Sequence, residues 1–272
     1  MALTLTACAK STAGLEGWPA LPEPVAWTPP SGVCHAAFTS LLRRDGFGEI
    51  ECTKTHQAEL IHLGQFTGDA VSAEKVPEPG SPAFQAAWSD CDAKTTAYLG
   101  GPWKERKLRL GIAVPTAYGW DSGARWYACE VTTVKQLNGF PQHAAFSLKG
   151  AFGTQPSLLF GCMQVAEEGA WEQKNCDQPH NAEFAGLVPW DTSYEELNKE
   201  IERENDSVHR RCVEVVGGFV GASVPTGTYV WVPDKTAWNA GDKTLRCFLW
   251  LGDGKSVSRS MRGVGRAGWP LR

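Results

Sequence analysis

Two stretches of this chain repeat each other. Trp120-Asp-Ser-Gly-Ala-Arg-Trp-Tyr-Ala-Cys129 returns as Trp238-Asn-Ala-Gly-Asp-Lys-Thr-Leu-Arg-Cys247, each a Trp followed three residues later by Gly and six further on by Cys. Matching landmarks flank both copies in the same order, which marks an internal duplication. A chain of 272 residues is long enough for each copy to bury its own core. The sequence therefore predicts two tandem domains, residues 32–154 and 155–272, behind a short N-terminal region.

Nine cysteines stand at 8, 34, 52, 91, 129, 162, 176, 212 and 247. Eight divide four and four between the copies, leaving Cys8 alone. Even sets without any Cys-x-x-Cys pair read as a disulfide framework in an oxidising compartment, not as a zinc site. Leu5-Thr-Ala-Cys8 matches the end of a bacterial lipoprotein signal. Met1 to Ala7 is shorter than the basic and apolar regions of such a signal, so residues 1–8 are read as a partial signal ending in a lipidated Cys8. A free or intermolecular thiol is the alternative. Residues 9–31, rich in Pro, Gly and small residues, read as an extended tether. Trp18 and Trp27 suggest that part of it lies against the first domain.

Hydrophobic residues make up 42% and charged residues 21%, with a formal charge of -4, so nothing here attracts nucleic acid. No apolar run reaches the roughly 18 residues of a membrane-spanning helix. Any membrane link is expected through the lipid.

Each copy follows one programme. In the first, strand candidates carry Cys34 and Cys52 around the turn Arg43-Arg44-Asp45-Gly46, and a third strand runs through Leu60, Ile61 and Leu63. Ser81-Pro82 opens a helix whose apolar face holds Phe84, Trp88, Cys91 and Tyr98, and Gly100 ends it. Strands at 108–114 and 125–131 follow, then a tip at Asn138-Gly139 and a strand at 145–150. In the second, Cys162 and Cys176 flank an acidic turn, Glu167-Glu168-Gly169. Ser193 and Glu196 form a capping box for one long helix through Cys212, kinked at Asn205-Asp206. Strands at 229–232, around Cys247 and at 258–263 complete it. The order predicts an α+β fold, a mainly antiparallel sheet with one packed helix per copy. Four cysteines allow three pairings per copy. Sequential pairing is chosen: Cys34–Cys52 across a hairpin and Cys91–Cys129 from helix to strand, with Cys162–Cys176 and Cys212–Cys247 likewise.

Cys52-x-x-x-His56-x-Ala58-Glu59 and Cys176-x-x-x-His180-x-Ala182-Glu183, Tyr98-Leu-Gly100 and Phe219-Val-Gly221 after a helical Cys, the two Trp-x-x-Gly stretches, and the endings Ser147-Leu-Lys-Gly150 and Ser260-Met-Arg-Gly263 together resemble the actinobacterial septum formation family, as tandem domains. They span residues 32–264. Thr55 departs from the Cys-x-Pro-His pattern that Pro179 keeps. The resemblance implies a secreted or membrane-tethered envelope protein with a link to division; it brings no activity and no catalytic residue.

His56 with Glu59 and His180 with Glu183 are the best candidates for chemistry, since a His–Glu pair in a cleft can move protons. A His at the head of a strand more often bonds turn backbone, and residues three apart on a regular strand face opposite sides. Lys149 and Arg262, equivalent in the copies, suit anionic envelope polymer or headgroups, or else a solvated strand end. Trp120 and Trp238 recur in register and are read as core anchors. Trp103, Trp126, Trp171, Trp231 and Trp269 have no matching Trp and are candidates for a ligand groove. Gly252-Asp-Gly-Lys-Ser256 lacks the first Gly of a phosphate-binding loop and reads as a turn. No cofactor or metal is expected. The reading is a non-catalytic envelope lipoprotein on the outer face of the cytoplasmic membrane, or secreted, that binds an envelope protein or cell-wall polymer and no nucleic acid. The alternative is an envelope hydrolase using the His–Glu pairs.

Overall fold

In a computed structural model, the protein is described over residues 26–166, 170–203, 207–224 and 227–270. Cys8, expected to be lipidated, Trp18, the expected turn at Glu167-Glu168-Gly169 and the expected kink at Asn205-Asp206 lie outside the described residues.

The first repeat runs β1 (Val33–His35), β2 (Leu41–Leu42), β3 (Ala58–Gln65), α1 (Pro82–Leu99), β4 (Leu108–Pro115), α2 (Ala117–Asp121), β5 (Trp126–Val134), β6 (Pro141–Gln142) and α3 (Ala151–Thr154). The second runs β7 (Cys162–Val165), β8 (Trp171–Lys174), β9 (Ala182–Pro189), α4 (Tyr194–Ile201), α5 (Ser207–Val220), β10 (Gly227–Trp231), α6 (Lys235–Ala240) and β11 (Thr244–Trp250). The first sheet has the order β1-β3-β5-β4-β2, with β6 beside β5. The second has the order β10-β11-β9-β7-β8. Thus β4, β5, β3 and β1 occupy the places that β10, β11, β9 and β7 occupy in the other copy. All neighbours pair antiparallel except β2 with β4. This is the α+β architecture that the sequence predicts.

Local chemistry explains the helix. The Ser81 hydroxyl accepts the Phe84 N–H, Pro82 supplies a first-turn φ, and Gly100 closes the end in the left-handed region at φ 84°. Phe84, Trp88, Cys91 and Leu99 then bury against the sheet. All four expected disulfides form, with Cα atoms 5.2 or 5.3 Å apart. Two of them fasten α1 to β5 and α5 to β11.

Four details differ from expectation. Residues 145–150 and 258–263 are turns, not strands: the Leu148 and Met261 N–H groups donate to the Glu59 and Glu183 carboxylates, and those of Lys149 and Arg262 to serine hydroxyls. The second repeat has two helices, α4 and α5, where one was expected. Arg44–Gly46 is a single 3-10 turn, and Cys34 meets Ile50 only as an isolated bridge. Each Trp-x-x-Gly corner is the end of a short helix, α2 or α6, capped by Thr116 or Asp234.

The repeats touch along one seam. Asn138 donates to the Val232 carbonyl and accepts the Asp234 N–H, at 2.9 and 2.8 Å. Arg109 pairs with Asp234 at 3.6 Å, and the Lys107 N–H donates to the Leu158 carbonyl. Trp88 of α1 lies where a side chain at Gly241 would go. Arg246 of β11, buried and paired with Asp242, reaches over Trp103.

Candidate functional site

The His–Glu pairs come first, because they carry the chemistry that the sequence offers. His56 precedes β3, where its backbone forms a two-bond bridge to Ala144, so the regular alternation of the strand starts only at Ala58. That irregular entry lets His56 and Glu59 converge on one side, against the expectation for a straight strand. His180 makes the same bridge to Val257 before β9.

The two networks superimpose in logic. Glu59 accepts the Leu148 backbone N–H at 2.6 Å, the Tyr98 hydroxyl at 3.0 Å and the Ser147 hydroxyl at 3.3 Å, and lies 3.4 Å from His56 Nε2. Glu183 accepts the Met261 N–H at 2.7 Å and the Ser260 hydroxyl at 2.8 Å, and lies 3.1 Å from His180 Nε2. Behind each ring, Nδ1 stands 2.8 Å from a carbonyl, Lys54 O or Gln178 O. A carbonyl only accepts, so Nδ1 is the donor there and Nε2 faces the carboxylate. Burial raises the Glu59 carboxyl above its ordinary range against the hydrogen bonds it accepts. Burial and the neighbouring Glu59 carboxylate push the Tyr98 phenol up to about 12. For His180, burial opposes the charged form, but the bonds to Glu183 and Gln178 and the Glu183 charge raise it overall.

All four side chains are sealed: His56 is 2% exposed, Glu59 1%, His180 0% and Glu183 2%. The arrangement clips the turns at 147–150 and 260–263 to the head of the third strand in each repeat. It gives the hydrolase reading no substrate access. Nor does it suit a metal. Cys34 and Cys52 with Glu59, and Cys162 with His180 and Glu183, bring ligand-type atoms within 4.8 Å, but these cysteines are in disulfides and offer no thiolate.

Lys149 and Arg262 are exposed, each at the second residue of a turn in which its N–H donates to a serine hydroxyl. Arg262 folds over the Phe219 ring at 4.6 Å, where the first repeat has Tyr98 reaching Glu59 instead. Trp120 and Trp238 are core anchors as expected, their indole N–H groups donating to Ala73 O and Thr192 O. The tryptophans without a match do not gather around one groove, although Trp126 borders a groove in the first repeat. Trp103, Trp126 and Trp269 are buried, and Trp171 and Trp231 are half-buried with ring centroids 4.4 Å apart and tilted at 55°. Their faces turn toward one another and toward Phe248.

Open apolar surface lies elsewhere, at one end of the first repeat. Two grooves of about 630 Å³ each flank the ridge made by Leu41, Leu42 and Pro115. One runs under Trp27 and Trp126 with Arg43 and Arg44 at its rim. The other runs between β4 and the Pro77–Pro79 loop with Glu74, Glu78 and Asp121 at its rim. Leu41 and Tyr118, exposed by 51% and 82%, stand on this end. Sequence reasoning missed it because Arg43 to Gly46 looked like a plain hairpin turn. The usable signal was the contrast between that basic turn and the acidic Glu167-Glu168-Gly169 in the same place of the other copy.

A family model described as septum formation matches residues 31–251 in one span that crosses both repeats. No curated protein and no solved structure matches the chain.

Proposed function

This chain belongs to the septum formation family, and from that premise we propose that it is a non-catalytic binding component of the cell envelope, tethered through a lipidated Cys8 and engaged in division. The four disulfides fit an extracytoplasmic or secreted protein, and no helix among the described residues is long and apolar enough to cross a membrane. The observation that carries the non-catalytic reading is the enclosure of both His–Glu pairs. The groups best suited to proton transfer are spent on backbone and hydroxyl partners inside the core in both repeats. Supporting the binding reading is the pair of apolar grooves in the first repeat. Duplicated residues maintain the fold, and the surface that differs between copies is where a ligand would be met.

The test is a pull-down from envelope extract with the full chain carrying Cys8→Ser, alongside an assay for turnover of peptidoglycan fragments and peptides. A partner captured without turnover is the expected result. Turnover that is lost in His180→Ala, in a variant that still folds, would overturn the proposal in favour of an envelope hydrolase.

A further inference from the structure

The groove beneath Trp27 has an unusual division of polarity. Its walls are Trp27, Leu42, Pro115 and Trp126, and three of the polar side chains among the lining residues are already engaged. The Trp126 indole N–H donates to the Trp27 carbonyl at 3.0 Å. The Thr116 hydroxyl accepts the Gly119 N–H at 3.2 Å, and the Ser122 hydroxyl donates to the Tyr118 carbonyl at 2.8 Å. A sugar or another hydroxyl-rich ligand would find few partners inside. Cationic capacity, in contrast, is available at the rim. Arg43 meets only Asp45, at 3.6 Å with both side chains largely exposed, an arrangement that holds a guanidinium weakly. Arg44 forms no ion pair among the described residues. Arg43 and Arg44, consecutive in the chain, line the groove with Asp45 and leave it a local cationic excess on a chain of net charge -4.

From this pairing of apolar walls with a cationic rim, we propose that the groove binds a single-chain lipid anion, its hydrocarbon tail lying in the trough against Trp27, Leu42 and Pro115 and its carboxylate or phosphate head held by Arg43 and Arg44. The volume of about 630 Å³ is in the range of small-molecule sites and takes a flexible tail of moderate length. Guanidinium groups match both head types in geometry, with two parallel N–H donors toward two oxygens. The second repeat has no basic pair at the matching turn, so one site per chain is expected. The ligand class rests on the binding reading above, while the protein partner sought by pull-down does not depend on it.

The full chain with Cys8→Ser is titrated, below micelle-forming concentrations, with dodecyl phosphate, dodecanoate and uncharged dodecanol, following tryptophan fluorescence and calorimetry. Saturable binding of one or both anions at a single site is expected, at least tenfold tighter than dodecanol. The head that binds more tightly identifies the natural one. Arg43→Ala with Arg44→Ala should weaken the anions at least tenfold and leave dodecanol unchanged. Ser122→Trp, which fills the groove from a half-buried position, should abolish all binding, with circular dichroism confirming the fold. Equal affinity for charged and uncharged tails, binding that survives Ser122→Trp, or no saturable binding of either anion would overturn the assignment. A partner still captured by the double Arg variant would leave the broader binding role standing in that event.

Discussion

Glu183 and Met261 are 78 positions apart in the chain, yet the Glu183 carboxylate accepts the Met261 backbone N–H at 2.7 Å. Glu59 and Leu148, 89 positions apart, stand in the same relation at 2.6 Å. In each repeat one acidic side chain joins the head of the third strand to the closing turn, and the Nε2 of a histidine faces it.

Removing that carboxylate in the second repeat leaves the buried Met261 N–H and His180 Nε2 without their partner. Glu183→Ala should therefore cost about 3 to 5 kcal/mol, in the range for breaking a buried ion pair. Glu183→Gln keeps an acceptor and should cost less. Equilibrium urea denaturation measures both, and a loss under about 1 kcal/mol for the alanine variant would contradict the role of the clip.

Stability should fall as pH rises. The imidazole of His180 is raised in the folded state above its ordinary 6.5. Its contribution is thus fully present below pH 6.5 and is lost as pH climbs through the folded value. Glu59, raised above 4.5 by burial, acts in the same direction at the acid end, where its contribution is present below 4.5 and declines above it. Melting curves at pH 6.0 and 8.5 should show the protein more stable at the lower pH, by a margin that shrinks in His180→Gln. An unchanged margin in that variant would assign the effect to other groups.

The helix-to-strand disulfides close loops of 38 and 35 residues. By chain entropy each is worth about 4 kcal/mol. Replacing Cys91 and Cys129 together by Ala should lower the unfolding free energy by about that amount. Mass mapping without reductant should find the other three bonds intact.

Asn138 holds the seam with two hydrogen bonds from a left-handed backbone at φ 62°. Asn138→Ala removes both bonds and places a less tolerant residue at that φ, for an expected cost of about 2 to 3 kcal/mol. Asn138→Gly relieves the backbone and loses only the bonds. Thermal scans should separate into two transitions in the alanine variant if the seam couples the repeats, and a single unshifted transition would show that it does not.

Duplication made much of this legible in advance. The Cys91 and Cys212 helices, the Trp corners and the four disulfides follow from landmarks that recur at matched positions, where each reading checks the other. What escaped the sequence are features set by long-range pairing. Ser147 to Lys149 has the residues of a strand, but the N–H of Leu148 is taken by Glu59, whose position only the folded sheet provides. His56 and Glu59 meet because the bridge to Ala144 alters the entry to β3. Arg43 and Arg44 read as turn residues because their partner surface, under Trp27 and Trp126, comes from segments far apart in the chain.

The strand β5 has a mechanical consequence. At its first residue, Trp126 is bonded to Trp27, where the N-terminal segment enters the described fold, and four residues past its last comes Asn138, fastened to the second repeat. Nine extended residues span about 30 Å, and the strand is hydrogen-bonded along both edges. Tension applied at Trp27 therefore runs along a stiff spar into the far repeat. A pull on the N-terminal side is thus carried along β5 toward the residues that fasten Asn138 to the second repeat.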